Sequence, residues 1–329
     1  MSKTPFAIVA LDGGFGGSYN LNRAINEHSA KYQSVLITSR PSQYQFGDGI
    51  DVKTQHDKAA RLLEHADRLW ICDGGGLLTI ARYLDVSRGT RLPWLPTNPA
   101  SAPIYKWLRN KSLIFYWSGS GYRDNYMAVS SAVQKLRCSR TYAMCDLLRL
   151  DPKALPLMQC YDDIAPGREK FPAFTVGHTP GMKWKKGEVA EKGTPLVVAG
   201  LEAARERYGL HYFVLKNMPH RLALKVKAKC HAFVDQIMPD VAGLGKSGLE
   251  AMLMGIPTLC DVRLSRFDGP YAGCPVIPVR GAKELCAEVV RLFQSAEHCA
   301  EVGKRSLDWA QRLRFKPTVE YLDATMEWA

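Results

Sequence analysis

Short apolar runs recur along the first half of the chain, and each one ends in glycine or serine. The first run opens the segment FAIVALDGGFGGSYNLNRAINEHS, where a glycine loop follows it and Leu21, Ala24 and Ile25 then recur at helical spacing. Further runs are SVLITS, RLWICDGGG and KSLIFYWSGSG, separated by segments long enough for a helix. Strands that alternate with helices in this way form parallel sheets covered on both faces. The pattern therefore predicts an α/β fold whose strand-end loops meet at one edge of the sheet.

A break rich in proline, glycine and charge, DDIAPGREKFP at residues 162–172, separates this series from a second one. The second series contains the runs AFTVGHTP, HYFVLKN, CHAFVDQI, IPTLCDV and CPVIPV. From about residue 282 to the C-terminus, apolar residues recur at helical spacing instead. We therefore predict two Rossmann-like domains, at residues 1–165 and 166–315, followed by a C-terminal helix at residues 316–329.

The composition is that of a globular protein, with 46% apolar residues in a chain of 329. The nine cysteines are scattered and form no Cys-x-x-Cys pair, so neither a disulfide framework nor a zinc knuckle is indicated. No signal peptide is recognisable, and no apolar run reaches the ~20 residues that a membrane-spanning helix needs. These features predict a cytoplasmic protein.

The net charge of +12 favours a polyanionic partner, and the charge is unevenly distributed. Residues 101–150 hold eight lysines and arginines against two aspartates, which is half of the excess. Aromatic residues are interleaved with these basic ones, among them Tyr105, Trp107, Tyr116 and Tyr126. Basic groups contact phosphates and aromatic rings stack on bases, so this stretch is a candidate polyanion-binding surface.

The stretch GLGKSGLEAMLMGIPTLCD, residues 243–261, contains the Gly-Lys-Ser that ends a nucleotide-binding P-loop. A P-loop also needs a glycine five residues before the glycine of that triplet, and here the position is Asp240. A carboxylate there would repel phosphate, so an ATPase is disfavoured. Ser247 and Gly248 can instead open a helix, whose N-terminus attracts a diphosphate, and Glu250 could accept both hydroxyls of a ribose. The alternative is an ordinary strand–helix turn with an exposed glutamate.

This segment, with the AFVDQI run before it, resembles the donor-binding segment of GT-B glycosyltransferases of the family 4-like group. That segment has a small-residue loop, then Glu-Ala-Met, then Gly-x-Pro before the next strand. Three other segments resemble the family in the same order along the chain: DGGFGGSYNLNRAIN, CDLLRLDPKALPLMQCYDD and TVGHTPGMKWKKGEVAEKGT. The resemblance covers about four-fifths of the chain. It implies a GT-B fold, with two Rossmann-like domains facing a cleft and C-terminal helices packing back on the N-terminal domain.

The resemblance also implies an activity, the transfer of a sugar from a nucleoside-diphosphate sugar, expected to be a UDP-sugar. Glu250 would hold the donor ribose, while Lys246, Ser247 and Gly248 would meet the diphosphate. Lys192, in EKGT, matches the phosphate-binding lysine of the family, which offsets charge building on the leaving diphosphate. The alternative for Lys192 is a solvated lysine on the surface.

Three further residues complete the predicted donor site. His178 follows the first strand of the donor domain, and its alternative is a structural histidine with both nitrogens bonded. Gly16 and Gly17 would let the N-terminal backbone approach the donor phosphates closely.

No metal is implied, because the chain has no Asp-x-Asp, no His-x-x-x-His and no spaced Cys/His set. The lysines and the helix N-terminus would replace a cation, and no cofactor besides the nucleotide sugar is expected.

Two positions depart from the family. Retaining members carry a glutamate eight residues before the ribose glutamate, where this chain has Ala242, and many carry a histidine where it has Ser118. The sequence therefore leaves retention or inversion of the anomeric configuration open. An inverting enzyme needs a general base, and Asp12, Asp73 and Asp124 are candidates because each lies at or just after a predicted strand end. Each could instead be a turn or capping residue.

In GT-B enzymes the N-terminal domain usually holds the acceptor, and here that domain contains the basic and aromatic stretch. The predicted acceptor is a hydroxymethylated pyrimidine in DNA, as in phage DNA-modifying glycosyltransferases, which would act in the host cytoplasm. The predicted acceptor contacts are Lys106, Arg109, Lys111, Trp117, Tyr122 and Arg123. The alternatives are a lipid or glycan at an anionic membrane surface, a small-molecule or protein acceptor, and a non-catalytic nucleic-acid-binding protein.

Overall fold

The computed structural model describes residues 3–10, 17–38, 49–52, 54–72, 80, 107–117, 138–145, 147–167, 169–180, 191–216, 218–238, 243–326 and 328. The chain divides into two compact units. Unit 1 is Met1–Tyr161 with Arg314–Ala329, and unit 2 is Asp162–Leu313. The boundaries expected from the sequence, after residues 165 and 315, lie within a few residues of these divisions.

Strands and helices alternate along both units. The strands are β1 Thr4–Val9, β2 Tyr32–Thr38, β3 Ile50–Asp51, β4 Arg68–Cys72, β5 Ser112–Trp117, β6 Cys138–Ala143, β7 Leu155–Pro156, β8 Thr175–His178, β9 His211–Val214, β10 Ala232–Val234, β11 Thr258–Cys260 and β12 Ile277–Pro278. The helices within the described ranges are α1 Gly17–His28, α2 His56–His65, α3 Thr194–Tyr208, α4 His220–Ala228, α5 Lys246–Leu253, α6 Ala282–Gln294, α7 Ala296–Ala310 and α8 Phe315–Thr325. None of these helices is long and apolar enough to cross a membrane.

Within the described residues, unit 1 is built on a parallel sheet of seven strands in the order β3-β2-β1-β4-β5-β6-β7. Side chains alternate between its two faces, so Ala7 and Val9 join one apolar cluster while Phe6 and Ile8 join the other. Helix α2 covers the first face, and α1 and α8 cover the second. A sheet buried on both faces requires strands that are apolar at every position, which explains the unbroken run FAIVA.

The last helix, α8, belongs to unit 1 although it follows unit 2 in the sequence. Val319 and Leu322 are buried in the cluster that α1 also joins. The hydroxyl of Ser29 donates to Asp323 at 2.7 Å, and the hydroxyl of Tyr32 donates to the Met326 carbonyl at 2.9 Å. The expectation that C-terminal helices return to the N-terminal domain is thus confirmed for α8. Helices α6 and α7 remain in unit 2.

The described part of unit 2 is built on a parallel sheet of five strands in the order β12-β11-β10-β8-β9. The order reverses between β8 and β10, and in open α/β sheets a ligand binds beyond the carboxyl ends of the strands at such a reversal. One face of this sheet packs against apolar side chains of α3 and α6, among them Val197, Leu201 and Leu285. The predicted α/β fold with two Rossmann-like halves is therefore confirmed.

Candidate functional site

The predicted donor residues of unit 2 come together where its strand order reverses. His178 ends β8, and Lys192 lies in the turn that leads from β8 to α3. Helix α5, which begins at Lys246, follows β10. The carboxyl ends of β8 and β10 are neighbours in the sheet, so these residues lie at the same edge of the sheet although they are far apart in the sequence.

The first turn of α5 carries the residues predicted to meet a diphosphate. Its N-cap, Gly245, provides no capping side chain, and the turn contains no acidic residue. Lys246 and Ser247 are half-buried. A Cβ on Gly248 would come within 2.6 Å of the Leu244 side chain and 2.9 Å of Asp235 Oδ2, so any larger residue would require these side chains to shift. An anion would meet the positive end of the helix dipole at this turn.

Glu250, one turn into α5, is only 2% exposed. Its Oε1 accepts a hydrogen bond from His220 Nε2 at 2.8 Å, and its Oε2 accepts one from Lys227 Nζ at 2.7 Å. Lys246 Nζ lies 3.8 Å from Oε1. Burial by itself would raise the pKa of Glu250, but Lys227, His220 and Lys246 outweigh it and hold that pKa far below its usual range. The alternative of an exposed glutamate in an ordinary turn is therefore wrong.

Lys227 is a site residue that sequence reasoning missed. Its side chain is 2% exposed, and its ammonium also donates to the Ser247 carbonyl at 3.1 Å and lies 4.6 Å from the centre of the Phe233 ring. His220 and Lys227 are two turns apart on α4 and bind the two oxygens of one carboxylate. The spacing of seven residues was the available signal, but it points to Glu250 only once α4 is known to pack on α5.

Lys192 lies in a tight turn rather than on a solvated surface. Its backbone has the positive φ of 72°, and Gly193 follows with a φ of 65°. A Cβ on Gly193 would stand 1.7 Å from the Ile237 carbonyl oxygen, so the turn requires glycine there. The Lys192 ammonium lies 3.2 Å from Asp235 Oδ1, and its side chain is 21% exposed. The alternative of a solvated lysine is therefore wrong, and its role as phosphate ligand stays a prediction.

Asp235, just after β10, is a second residue that the sequence analysis missed. It is fully buried, and its two oxygens meet different elements. Oδ1 pairs with Lys192, and Oδ2 accepts a hydrogen bond from the backbone N–H of Gly245 at the start of α5. The signal was a single aspartate at the end of the apolar run CHAFVDQI. A carboxylate can remain buried there because a cation and a helix N-terminus both face it.

His178 is fully buried and bonded through both ring nitrogens. Nδ1 lies 2.9 Å from the Val234 carbonyl and must donate to it, because a carbonyl can only accept. In the neutral ring the other nitrogen is an acceptor, so Nε2 accepts from the Thr194 hydroxyl at 2.9 Å. Burial is the main cause that lowers the pKa of His178 to about 4, so the ring is neutral at neutral pH. This geometry matches the structural alternative for His178, which ties β8 to β10 and α3. To bind a donor, the ring would have to give up one of these bonds.

The predicted residues of unit 1 have different outcomes. Gly17 begins α1 and is buried, and a Cβ there would come 3.3 Å from the Gln159 side chain. The remaining residue of the glycine loop, Gly16, and the three candidate bases Asp12, Asp73 and Asp124 lie outside the described residues. Their roles therefore stay predictions.

The acceptor contacts predicted from the basic stretch do not share one environment. Arg109 is exposed, whereas Lys111 donates to the carbonyls of Leu63 and Glu64 at the end of α2, both at 3.0 Å. Trp117 is 1% exposed and stacks on Phe115 in the core, so the acceptor role predicted for it is not compatible with its position. Lys106, Tyr122 and Arg123 lie outside the described residues.

The charged groups of the unit 2 site favour an anionic ligand. Three ammonium groups, those of Lys192, Lys227 and Lys246, face the carboxylates of Asp235 and Glu250, and the N-terminus of α5 adds partial positive charge. Burial lowers the pKa of Lys246, and Glu250 offsets part of that effect. Across the ranges that the structure describes, no group of three His, Cys, Asp or Glu side chains could hold a metal ion. The arrangement can therefore hold a phosphate-bearing ligand through lysines and backbone N–H groups.

No protein-family model and no curated protein sequence matches this chain, whereas solved structures do. An α-glucosyltransferase in complex with UDP-glucose and DNA containing an abasic site matches with a TM-score of 0.58 at 11% identity, over 94% of this chain and 95% of that one. Sucrose-phosphate synthase from Thermosynechococcus elongatus matches with 0.58 at 10% identity, over 97% of both. Anabaena HepE in complex with UDP-glucose matches with 0.61 at 12% identity, over 98% and 99%. The chain therefore has the GT-B fold, the fold that its sequence motifs predicted.

Proposed function

We propose that this protein is a glycosyltransferase that takes its sugar from a nucleoside-diphosphate sugar, and that the nucleotide is UDP. One observation carries the proposal: Lys192, Lys246 and the N-terminus of α5 meet beside a buried glutamate at the carboxyl edge of the unit 2 sheet. These are the groups that a diphosphate and an adjacent ribose would need. Structures of similar fold bound to UDP-glucose support the choice of nucleotide.

The two oxygens of Glu250 suggest how a ribose would bind. Oε2 is held by the buried Lys227, whereas Oε1 faces His220 and Lys246, whose side chains are 23% and 20% exposed. A ribose entering from solvent would therefore reach Oε1 and share or replace the hydrogen bond from His220. An ionised carboxylate only accepts, so it suits the two hydroxyl donors of a ribose.

The lysines would act on the leaving group. Negative charge builds on the diphosphate as the glycosidic bond breaks, and an ammonium group fixed beside it lowers the energy of that state. Lys192 and the first turn of α5 would supply this stabilisation, with no divalent cation required. Turnover should therefore persist when EDTA is added. The general base, for which Asp12, Asp73 and Asp124 stay candidates, belongs to the same proposal.

For the acceptor, we propose a hydroxymethylated pyrimidine base in DNA. The support is the net charge of +12, half of which comes from residues 101–150, and the similarity of fold to an α-glucosyltransferase bound to DNA. Within the described part of that stretch, Arg109 is exposed, as a phosphate contact must be. A lipid or glycan at an anionic membrane surface is the second candidate, favoured by the same basic charge.

The proposal is tested by measuring nucleoside diphosphate released from UDP-, GDP- and ADP-sugars. Each donor is combined with DNA that contains hydroxymethylpyrimidines, with unmodified DNA of the same sequence, and with a lipid extract. We expect release from a UDP-sugar, stimulated by the hydroxymethylated DNA and insensitive to EDTA.

Other outcomes separate the alternatives. Release stimulated by lipid alone would replace the DNA acceptor with a membrane acceptor. No release with any donor, together with tight binding to DNA, would contradict the enzyme and favour a nucleic-acid-binding protein. Because unmodified DNA differs only in the hydroxymethyl group, equal stimulation by both DNAs would exclude that group as the acceptor.

A further inference from the structure

Asp235 places a buried negative charge against both groups that the proposed function assigns to the donor diphosphate. Its Oδ1 pairs with Lys192 Nζ at 3.2 Å, and its Oδ2 accepts from the Gly245 N–H at the start of α5. A Cβ on Gly248 would lie 2.9 Å from Oδ2, so the carboxylate also lies directly beneath the first turn of the helix. Asp235 itself is fully buried and cannot be reached by a ligand.

A carboxylate in this position opposes the binding of any phosphate above it. It compensates the positive charge of Lys192 and reduces the positive potential of the helix N-terminus. It also repels a second anion a few ångströms away. Burial strengthens all three effects, because water screens charges only weakly inside a protein. In a site meant only to hold a diphosphate tightly, such a carboxylate is a disadvantage.

We propose that Asp235 sets the affinity of the donor site by acting as an internal anion that competes with the diphosphate for Lys192 and the N-terminus of α5. The inference rests on the proposed function and adds an affinity-setting residue to it. When the sugar leaves, the product diphosphate carries more negative charge than the donor did. The competing carboxylate then favours release of that product over its retention.

A purely structural role for Asp235 predicts the opposite effect of its removal. If Asp235 served to aim Lys192 at the ligand, loss of its charge would weaken binding. The Lys192 turn, however, is also held by the backbone: the Ile237 N–H donates to the Lys192 carbonyl at 3.0 Å, and the Lys192 N–H contacts Met238 Sδ at 3.0 Å. The turn should therefore survive when the charge of Asp235 is removed.

The test compares Asp235→Asn with the wild type by calorimetric titration of UDP and of uridine. Asparagine keeps the shape of the side chain and an oxygen that can accept from Gly245, but it removes the charge. We expect the Kd for UDP to fall about tenfold, and the Kd for uridine, which has no phosphate, to stay the same. A general structural change would move both constants together.

Asp261→Asn is the matched control. Asp261 is also fully buried and follows the neighbouring strand β11, but it pairs with Arg263, with Oδ1 at 3.0 Å from Nε, and not with Lys192 or α5. Its replacement should leave the Kd for UDP within about twofold of the wild type. A tenfold gain in the control as well would overturn the assignment to Asp235.

Failure of the role proposed for Asp235 can be distinguished from failure of the proposed function. If the wild type releases UDP from a UDP-sugar but Asp235→Asn binds UDP no more tightly, the inference is overturned and the function stands. If neither protein binds UDP, both are overturned. Circular dichroism checks that the variant is folded, and Asp235→Ser, with the same expected gain, replaces it if asparagine is not tolerated.

Discussion

Glu250 binds two side chains of a single helix, and its surroundings keep the carboxylate ionised. His220 and Lys227 of α4 bind its two oxygens at 2.8 Å and 2.7 Å. The pKa of Glu250 is therefore lower in the folded protein than the ~4.3 of an unfolded chain. The sign of this difference means that the pair stabilises the fold above about pH 4.3, and that this stability is lost as the pH falls towards the folded pKa.

Replacing one partner of the Lys227–Glu250 pair should lower the free energy of unfolding more than replacing both partners together. Lys227→Met or Glu250→Gln leaves one buried charge without its main partner, which costs about 3 kcal/mol, whereas the double variant leaves neither. Urea unfolding of the two single variants and the double variant should therefore give a strong favourable coupling. Additive losses in the double variant would contradict the buried pair.

His178 should make the protein sensitive to mild acid. Its pKa is about 4 when folded, against ~6.5 when unfolded, so the unfolded chain takes up the proton first. The contribution of this residue is complete above about pH 6.5 and declines by about 2 kcal/mol between pH 7 and pH 5. Urea unfolding at both pH values should show a smaller decline for His178→Asn than for the wild type. Equal declines would show that the ring is not buried neutral.

Local spacing made part of the site predictable. Lys246, Ser247, Gly248 and Glu250 lie within one short motif, so the helix that carries them could be placed from sequence alone. The contacts that complete the site could not be predicted in this way, because they join residues that are 23, 30 and 43 positions apart. Such contacts depend on how α4 and the β8–α3 turn pack beside α5, and one sequence carries no local sign of that packing.

At the scale of elements, the basic stretch of unit 1 proves to contain a helix cap. Lys111 donates to the carbonyls of Leu63 and Glu64, which are among the last carbonyls of α2, where a helix end accepts hydrogen bonds from side chains. Its ammonium also lies 4.9 Å from the centre of the Trp107 ring. A lysine that looked like a phosphate contact in the sequence therefore stabilises unit 1.

Lys111→Met should consequently lower the free energy of unfolding by about 1 kcal/mol, because a helix end loses its positive charge and its hydrogen bonds. Arg109→Met is the matched control: Arg109 is exposed in the same segment, and its replacement should leave stability unchanged. Thermal unfolding of the two variants measures both effects. A loss of stability in Arg109→Met but not in Lys111→Met would reverse the roles given to the two residues.

Strands could be predicted from the sequence where they contain a run of apolar residues. The strands buried on both faces, such as β1, β4 and β5, stand out as apolar runs. Strand β6 was not predicted, because four of its six side chains are only half-buried and its sequence, CSRTYA, has no apolar run. Strands β3 and β7, which have two residues each, were not predicted either.

At the scale of the whole molecule, the net charge of +12 bears on the acceptor. Binding to DNA releases counterions from the phosphates, so a DNA acceptor should become a poorer substrate as salt is added. We expect kcat/KM for hydroxymethylated DNA to fall at least about tenfold between 50 and 200 mM salt. Hydrolysis of the UDP-sugar without DNA serves as the control and should change little. A kcat/KM for DNA that is independent of salt would contradict a contact with the phosphate backbone.

A crystal structure of the protein with UDP would show whether the carboxyl edge of the unit 2 sheet binds a nucleoside diphosphate. We predict the diphosphate at the first turn of α5, within hydrogen-bond distance of its N–H groups and of Lys192, with the ribose hydroxyls at Glu250 Oε1. UDP bound at another place would overturn the proposed donor site, and UDP bound here with its ribose away from Glu250 would overturn the role proposed for that residue.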